Sequence, residues 1–236
     1  MTIEPPARAA EARDSRTEKR GIVGCTDWLD AIVCADCLNE MRAMPDELVD
    51  AVITDPPYGV DKAKWDAQFP RLEVWQEIWR VMKPGASLLV FPGEMDIPAK
   101  LALLVSVFDY QWVLVWYKPN AMQFGKTGYT KQSLCWWLSK GKPNASPKLC
   151  DVIERTLIAG DNRFGHPSPK PLDVMTPLVN HFSAVGELVL DPYAGSGTTL
   201  VAAKLLNRRW LGIEREQSYV DIIKTRLQQD VLALGV

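Results

Sequence analysis

Histidine is nearly absent, with two in 236 residues, and cysteine is sparse at five. No apolar run approaches the roughly 20 residues a membrane-crossing helix needs, so no membrane partner is expected. The first residues hold no apolar signal core, which points to a cytoplasmic setting. There an odd number of cysteines reads as free thiols. Cys34-Ala35-Asp36-Cys37 has the spacing of half a zinc site, but Cys25, Cys135 and Cys150 offer no second close pair. With so few histidines, no metal is expected. Acidic charge is missing from one long stretch. Residues 110–150 contain no Asp or Glu, although the chain as a whole has a formal net charge of −2.

Apolar residues at 47% can fill the core of one α/β domain, and charged residues at 24% are ordinary. Residues 1–24 mix alternating charge with Ala and Pro, lack an apolar period, and read as a flexible arm before a domain spanning 25–236. Hydrophobic patterning predicts strands at 31–34, 49–54, 87–91, 111–117, 133–139, 187–190 and 210–213. The pair 111–117 and 133–139 fits an antiparallel arrangement. Helices are predicted at 38–44, 96–108 with Asp96 as cap, 171–182 kinked or broken at Pro177, 198–206 and 217–234. One more has Leu72, Trp75, Ile78, Trp79 and Met82 on one face and stops at Lys83-Pro84-Gly85. Alternating strands and helices imply a largely parallel sheet covered on both faces.

Two turns stand out. Asp55-Pro56-Pro57-Tyr58 follows the strand at 49–54. Two prolines donate no backbone N–H and hold the chain extended, leaving a stiff loop with a carboxylate, free carbonyls and an aromatic ring. Asp191-Pro192-Tyr193 opens the second turn, Ala194-Gly195-Ser196-Gly197-Thr198-Thr199. In one parallel sheet the two would lie side by side and form a site. A strand, a glycine-rich turn and a helix bring backbone close to a ligand at the helix start, with Gly195 and Gly197 removing side chains there. Glu214 ends the following strand, placed to accept from a ribose diol. Leu200 stands where the third glycine of G-x-G-x-x-G belongs, and no lysine follows the glycines as in a P-loop. A cofactor with a ribose and no phosphates therefore fits better than a dinucleotide or a nucleoside triphosphate. S-adenosylmethionine is one.

In this order, the two turns resemble the amino-methylating DNA methyltransferases, in the permuted (beta-class) branch whose catalytic motif precedes the cofactor motif. The likeness runs from about residue 32 to 227. It includes Asp36-Cys37-Leu38, Ser139-Lys140-Gly141-Lys142 and His166-Pro167-Ser168-Pro169-Lys170-Pro171. It implies a Rossmann-like, seven-stranded, mostly parallel sheet with one antiparallel strand, and a bacterial or phage origin. Cofactor contacts implied by the family fall on Asp191, Tyr193, Ala194, Gly195, Ser196, Gly197 and Thr198. Glu214 would take the ribose, Asp36 and Cys37 would flank the adenine, Lys170 would lie near the cofactor's carboxylate, and Asp55 would border the cofactor from the catalytic side.

The implied reaction moves a methyl group from a sulfonium to an exocyclic base nitrogen. That nitrogen is a weak nucleophile because its lone pair is conjugated with the ring. Hydrogen bonds from its two hydrogens to the Asp55 carboxylate and the Pro56 carbonyl would draw it toward tetrahedral geometry. The base must leave the duplex stack, and Tyr58, set by Pro57, is the natural stacking platform. In the acid-free stretch, Lys118, Lys126, Lys131, Lys140 and Lys142, interleaved with Phe124 and Tyr129, read as a surface for double-stranded DNA. Recognition would fall within residues 119–165, a modest allotment that suggests a short site or a homodimer. A separate chain would have to supply any restriction endonuclease. Asp before Pro-Pro-Tyr favours adenine-N6. The alternatives are cytosine-N4, an RNA or protein-amide acceptor, and a cofactor-dependent DNA-binding module without turnover.

Overall fold

The computed structural model describes residues 28–59, 68–121, 123–125, 128–144, 149–156 and 169–229. The arm expected at 1–24 lies outside these residues, as do Cys25, Lys126, His166 to Ser168 and the end of the last predicted helix. In chain order the first elements are β1 (Ala31–Cys34), α1 (Cys37–Ala43), β2 (Val49–Thr54), α2 (Leu72–Val81), β3 (Met82–Val90) and α3 (Ile97–Val105). Next come β4 (Asp109–Tyr117), β5 (Gln123–Gly125), β6 (Gly128–Thr130), β7 (Gln132–Ser139) and β8 (Val152–Glu154). The chain closes with α4 (Leu172–Phe182), β9 (Leu188–Asp191), α5 (Thr198–Leu205), β10 (Arg209–Glu214) and α6 (Gln217–Gln228).

Among the described residues, eight strands form one sheet in the order β1-β10-β9-β2-β3-β7-β4-β8. Of these, only β7 runs against the others, pairing antiparallel with both β3 and β4. The expected seven strands are all present, and β8 is an additional short edge strand parallel to β4. β5 and β6 form a separate hairpin. From β9 the chain moves outward one way, to β10; from β2 it moves outward the other way, to β3. The strand order reverses between β9 and β2, where an open α/β sheet leaves a crevice at its carboxyl edge.

Both faces of the sheet are covered, as the residues of β2 demonstrate. Val52 packs into a core with Met41 of α1, Trp75 and Ile78 of α2 and Leu104 of α3. Its neighbour Ile53 packs on the opposite face with Met175 and Leu178 of α4 and Ala202 of α5. Successive strand side chains point to opposite faces, so a strand apolar at both positions must be buried on both sides.

Several local expectations are corrected. The buried stripe of α2 is Val74, Trp75, Ile78 and Val81. Trp79 is 41% exposed, and its ring is covered by the Lys140 ammonium at 4.0 Å. The helix ends at Val81 because Met82 is already extended, and β3 then takes in Lys83-Pro84-Gly85, with a register shift against β2. Asp96 has φ 52°, a left-handed conformation, and makes no capping bond; α3 ends at Val105 rather than Phe108. Side-chain capping needs an extended residue at that position. Pro177 does not break α4, which runs through to Phe182 with Val174, Met175, Leu178, Val179 and Phe182 buried. That packing offsets the roughly 3 kcal/mol a helical proline costs. Trp112 of β4 is 55% exposed, whereas Trp116 and Trp136 are core residues.

Helix α5 lies close on β10 because Gly212 has no side chain. A Cβ there would come within 2.4 Å of Leu200 Cδ1 and 2.8 Å of Ile32 Cδ1. Overpacking of this kind costs about 1–3 kcal/mol. Gly212→Ala is expected to lower unfolding free energy by about that amount in urea titrations, with the m-value unchanged.

Candidate active site

The site is assembled where β2 and β9 lie side by side, paired through Ala51 with Val189 and Val52 with Leu190. Their last residues are bonded to each other. The Thr54 hydroxyl donates to Asp191 Oδ1 at 2.8 Å, and the Thr199 hydroxyl donates to Oδ2 at 2.7 Å. The Tyr193 amide donates to Oδ1 at 3.2 Å. Burial pushes the Asp191 carboxyl up to about 7, against these three bonds, which favour the anion. One carboxylate thus joins the end of β2, the turn after β9 and the first turn of α5.

Beyond Thr54, Pro56 and Pro57 carry the chain away from the sheet, and Gly59 turns it with φ 74°. Asp55 is bonded on both oxygens: the Tyr58 hydroxyl donates to Oδ1, and the Lys170 ammonium pairs with Oδ2. Lys170 also reaches the Tyr58 oxygen at 3.0 Å. The Asp55 carboxylate, the Tyr58 ring and a lysine from 115 residues downstream therefore form one cluster.

Across from this cluster, the Ala194 amide donates to the Ile213 carbonyl at 3.0 Å. The Gly195 amide donates to Glu214 Oε2 at 2.9 Å, and the Glu216 amide donates to Oε1 at 2.8 Å. Burial raises the Glu214 carboxyl above its usual range, opposed by these amides. Asp36 caps α1 by accepting from the Asn39 amide at 3.0 Å. Burial pushes the Cys37 thiol up to about 11, in part offset by the Tyr193 hydroxyl, so it is a packing group at neutral pH.

A cavity of about 630 Å³ joins the two halves. Asp55, Pro56, Pro57, Tyr58 and Lys170 line one part of it, and Asp36, Cys37, Asp191 and Tyr193 another. Ala194, Gly195, Ser196, Thr198 and Glu214 complete the sequence-predicted set. Gly197 does not line it. It caps α5 at φ 78°, and a Cβ there would come within 2.8 Å of Ile223, so its lack of a side chain serves packing against α6.

The predicted DNA-facing lysines do not form one surface. Lys118 is 3% exposed, donates to Ser133 Oγ at 2.9 Å and lies over the Trp116 ring. Lys140 is 7% exposed and donates to the Met82 carbonyl at 2.8 Å. Because β7 is antiparallel, its last residues sit at the start of β3, so Lys140 and the exposed Lys142 lie at the edge away from the cavity. Lys131 and Tyr129 are exposed at the other end, beside the close of β4. Phe124 pairs with Tyr129 in the β5–β6 hairpin.

Other groups at the cavity carry no motif. Arg42, Arg71 and Arg215 line it as cations, and Gln68 and Phe69 line it beside Tyr58. An arginine at a helix end or before a helix reads as surface charge, so no sequence signal marks these.

A mostly parallel sheet whose switch-point crevice holds a glycine-rich turn, a part-buried carboxylate and an Asp-Pro-Pro-Tyr loop has the architecture of a Rossmann-like methyltransferase. The family model described as DNA methylase (N6_N4_Mtase) matches residues 49–225, and the chain belongs to that amino-methyltransferase family. Type II methyltransferase M.HinfI of Haemophilus influenzae is 28% identical, over 86% of this chain and 69% of that protein. The crystal structure of an M1.HpyAVI–SAM complex superposes with a TM-score of 0.66 at 26% identity, covering 84% of this chain and 98% of that one. PvuII DNA methyltransferase, cytosine-N4-specific, shares the fold with a TM-score of 0.70 at 18% identity, covering 85% and 87% of the two chains.

The Asp191 carboxyl sets a pH dependence. Its value near 7 in the folded chain, against an ordinary 3.8, means the folded state takes up the proton more readily. The resulting stabilisation is full below about pH 3.8 and is lost as pH rises through about 7. Asp191→Asn does not titrate. The stability of the native chain relative to this variant is expected to fall between pH 4 and 7 in urea unfolding at stepped pH.

Proposed function

We propose that this chain transfers a methyl group from S-adenosylmethionine to the exocyclic amino group of a base extruded from duplex DNA, with adenine-N6 as the target. The observation that carries this reading is the single cavity shared by the Asp55–Tyr58 loop and the Gly195–Glu214 wall. Glu214 is the test of fit. Each of its oxygens accepts one backbone N–H, leaving a lone pair on each for a ribose diol. Lys170, at the cavity wall, would meet a carboxylate there. When bound, the cofactor supplies a methyl group on a sulfonium, already activated to leave.

What remains is work on the acceptor nitrogen, and the chain's own groups do it. Asp55 is held in one orientation by the Tyr58 hydroxyl and Lys170, and each of its oxygens keeps a second lone pair. A target N–H donates to that carboxylate and the other N–H to the Pro56 carbonyl, which draws the nitrogen out of conjugation and aims its lone pair. The nitrogen gains a methyl group and loses one proton, for which the Asp55 carboxylate is the adjacent acceptor. Tyr58 stacks on the extruded base, returning roughly 1–3 kcal/mol against the few kcal/mol that extrusion costs. Lys131 and the cavity arginines Arg42, Arg71 and Arg215 favour approach of the phosphate backbone.

Cytosine-N4 is the competing target, because the same two acceptors serve either amino group. Long-read sequencing of DNA from cells expressing the chain, with nucleoside mass spectrometry, is expected to show N6-methyladenine in a short sequence context. N4-methylcytosine alone would replace the adenine assignment. In a labelled-methyl assay on DNA, Asp55→Ala is expected to reduce transfer by at least about 10²–10³-fold while calorimetry shows cofactor binding retained. Near-normal turnover by that variant would refute the mechanism. DNA affinity is expected to fall steeply between low and physiological salt, and less steeply in Lys131→Gln, which removes one phosphate-directed charge.

A further inference from the structure

Tyr58 is held by a buried cation that belongs to no motif. Lys100, on α3, is only 5% exposed. Its ammonium donates to the Tyr58 carbonyl at 3.0 Å and to the Pro92 carbonyl at 2.8 Å. The same nitrogen lies 5.0 Å from the centre of the Phe69 ring and 5.8 Å from that of Tyr58. Gly93 follows Pro92 with φ 69°, and a Cβ on it would come within 2.8 Å of Tyr58 Cγ.

These facts share one consequence. Burying an ammonium is costly unless its protons are bonded, and a methionine or leucine would satisfy a helix that needed only to pack. Lys100 instead spends its donors on two carbonyls from different loops, tying the residue that carries the ring to the chain just past β3. The rings of Tyr58 and Phe69, which both line the cavity, share that cation. Gly93 leaves the space behind the Tyr58 ring that any side chain would fill. Depth and tilt of the ring are thus constrained by Lys100 and Gly93, neither of which belongs to the Asp55–Tyr58 loop.

We propose that Lys100 is a positioning residue for methyl transfer: it fixes the stacking ring of Tyr58, with Gly93 clearing the space behind it. The inference rests on the reading in which Tyr58 stacks on the extruded base. Lys100→Met in the full chain keeps length and apolar bulk and removes the donors. Calorimetry is expected to show unchanged S-adenosylmethionine affinity, and kcat on duplex DNA is expected to fall about 10²-fold, the penalty for a displacement near 1 Å. Hydrogen exchange is expected to rise in the peptide holding Asp55 to Gly59 and to stay constant across β9 and α5. Gly93→Ala pushes on the ring with Lys100 in place, and is expected to lower kcat with the same unchanged cofactor affinity. Wild-type kcat in Lys100→Met would overturn the proposal. So would a deficit that lies wholly in cofactor affinity. If Lys100→Met does not fold, Gly93→Ala decides alone, with wild-type kcat overturning the proposal and a lowered kcat upholding it. If the native chain transfers no methyl group to DNA, the methyl-transfer reading fails, and the exchange measurement still reports whether Lys100 holds the loop.

Discussion

The site depends on one buried carboxylate. Asp191 is bonded by a hydroxyl from β2, an amide from its own turn and a hydroxyl from α5. Thr54 lies 137 residues from Asp191 in the chain, yet the three donors converge on its two oxygens. A carboxylate so deeply buried is tolerable only while its lone pairs are occupied, so the three segments stay together. Asp55, on the neighbouring loop, raises the Asp191 carboxyl further. The Lys170 ammonium beside Asp55 is the counter-charge in that crowd.

The polarity of the sheet separates stability from function. At the amino edge of the parallel strands, Lys83 pairs with Asp50, Arg209 pairs with Asp30, and Arg80 binds Asp46 and the carbonyls of Met41 and Met44. Arg208, before β10, donates to carbonyls of Asn180 and Ser183. Such contacts close that edge. Partly exposed ion pairs among them contribute at most about 1 kcal/mol each, so their role is to fix where each strand begins. At the carboxyl edge, the turns leave carbonyls and carboxylates facing an open cavity. Ligands bind at that edge in open α/β sheets, because the strand order reverses there.

Much of this was legible in the sequence, and the misses have a common cause. The strands, the antiparallel pair and the meeting of the two turns follow from local patterning and from the way the two motifs are ordered. A glycine spares room for either a ligand or a neighbouring helix, and at Gly197 the packing of Ile223, which no sequence pattern reveals, takes that room. Lys118 and Lys140 were misread because a lysine in an acid-free stretch can still bury its stem and bond to a carbonyl or hydroxyl. Composition cannot reveal that β7 carries its two ends to opposite edges. Lys100 and the cavity arginines were invisible for the same reason: what they touch is set by tertiary structure.

The shared sheet does not by itself decide between adenine and cytosine. A cytosine-N4 enzyme, PvuII methyltransferase, shares the sheet. A carboxylate and a carbonyl accept from any amino group, and a tyrosine ring stacks on any base. In the proposed mechanism Asp55, Pro56 and Tyr58 would therefore select a class of nitrogen, one attached to a flat ring and carrying two hydrogens. Discrimination between the two rings requires groups that meet the ring edge, where the donor and acceptor patterns of the bases differ. Such groups must come from the walls around the loop, in addition to the bias toward adenine that Asp55 itself brings.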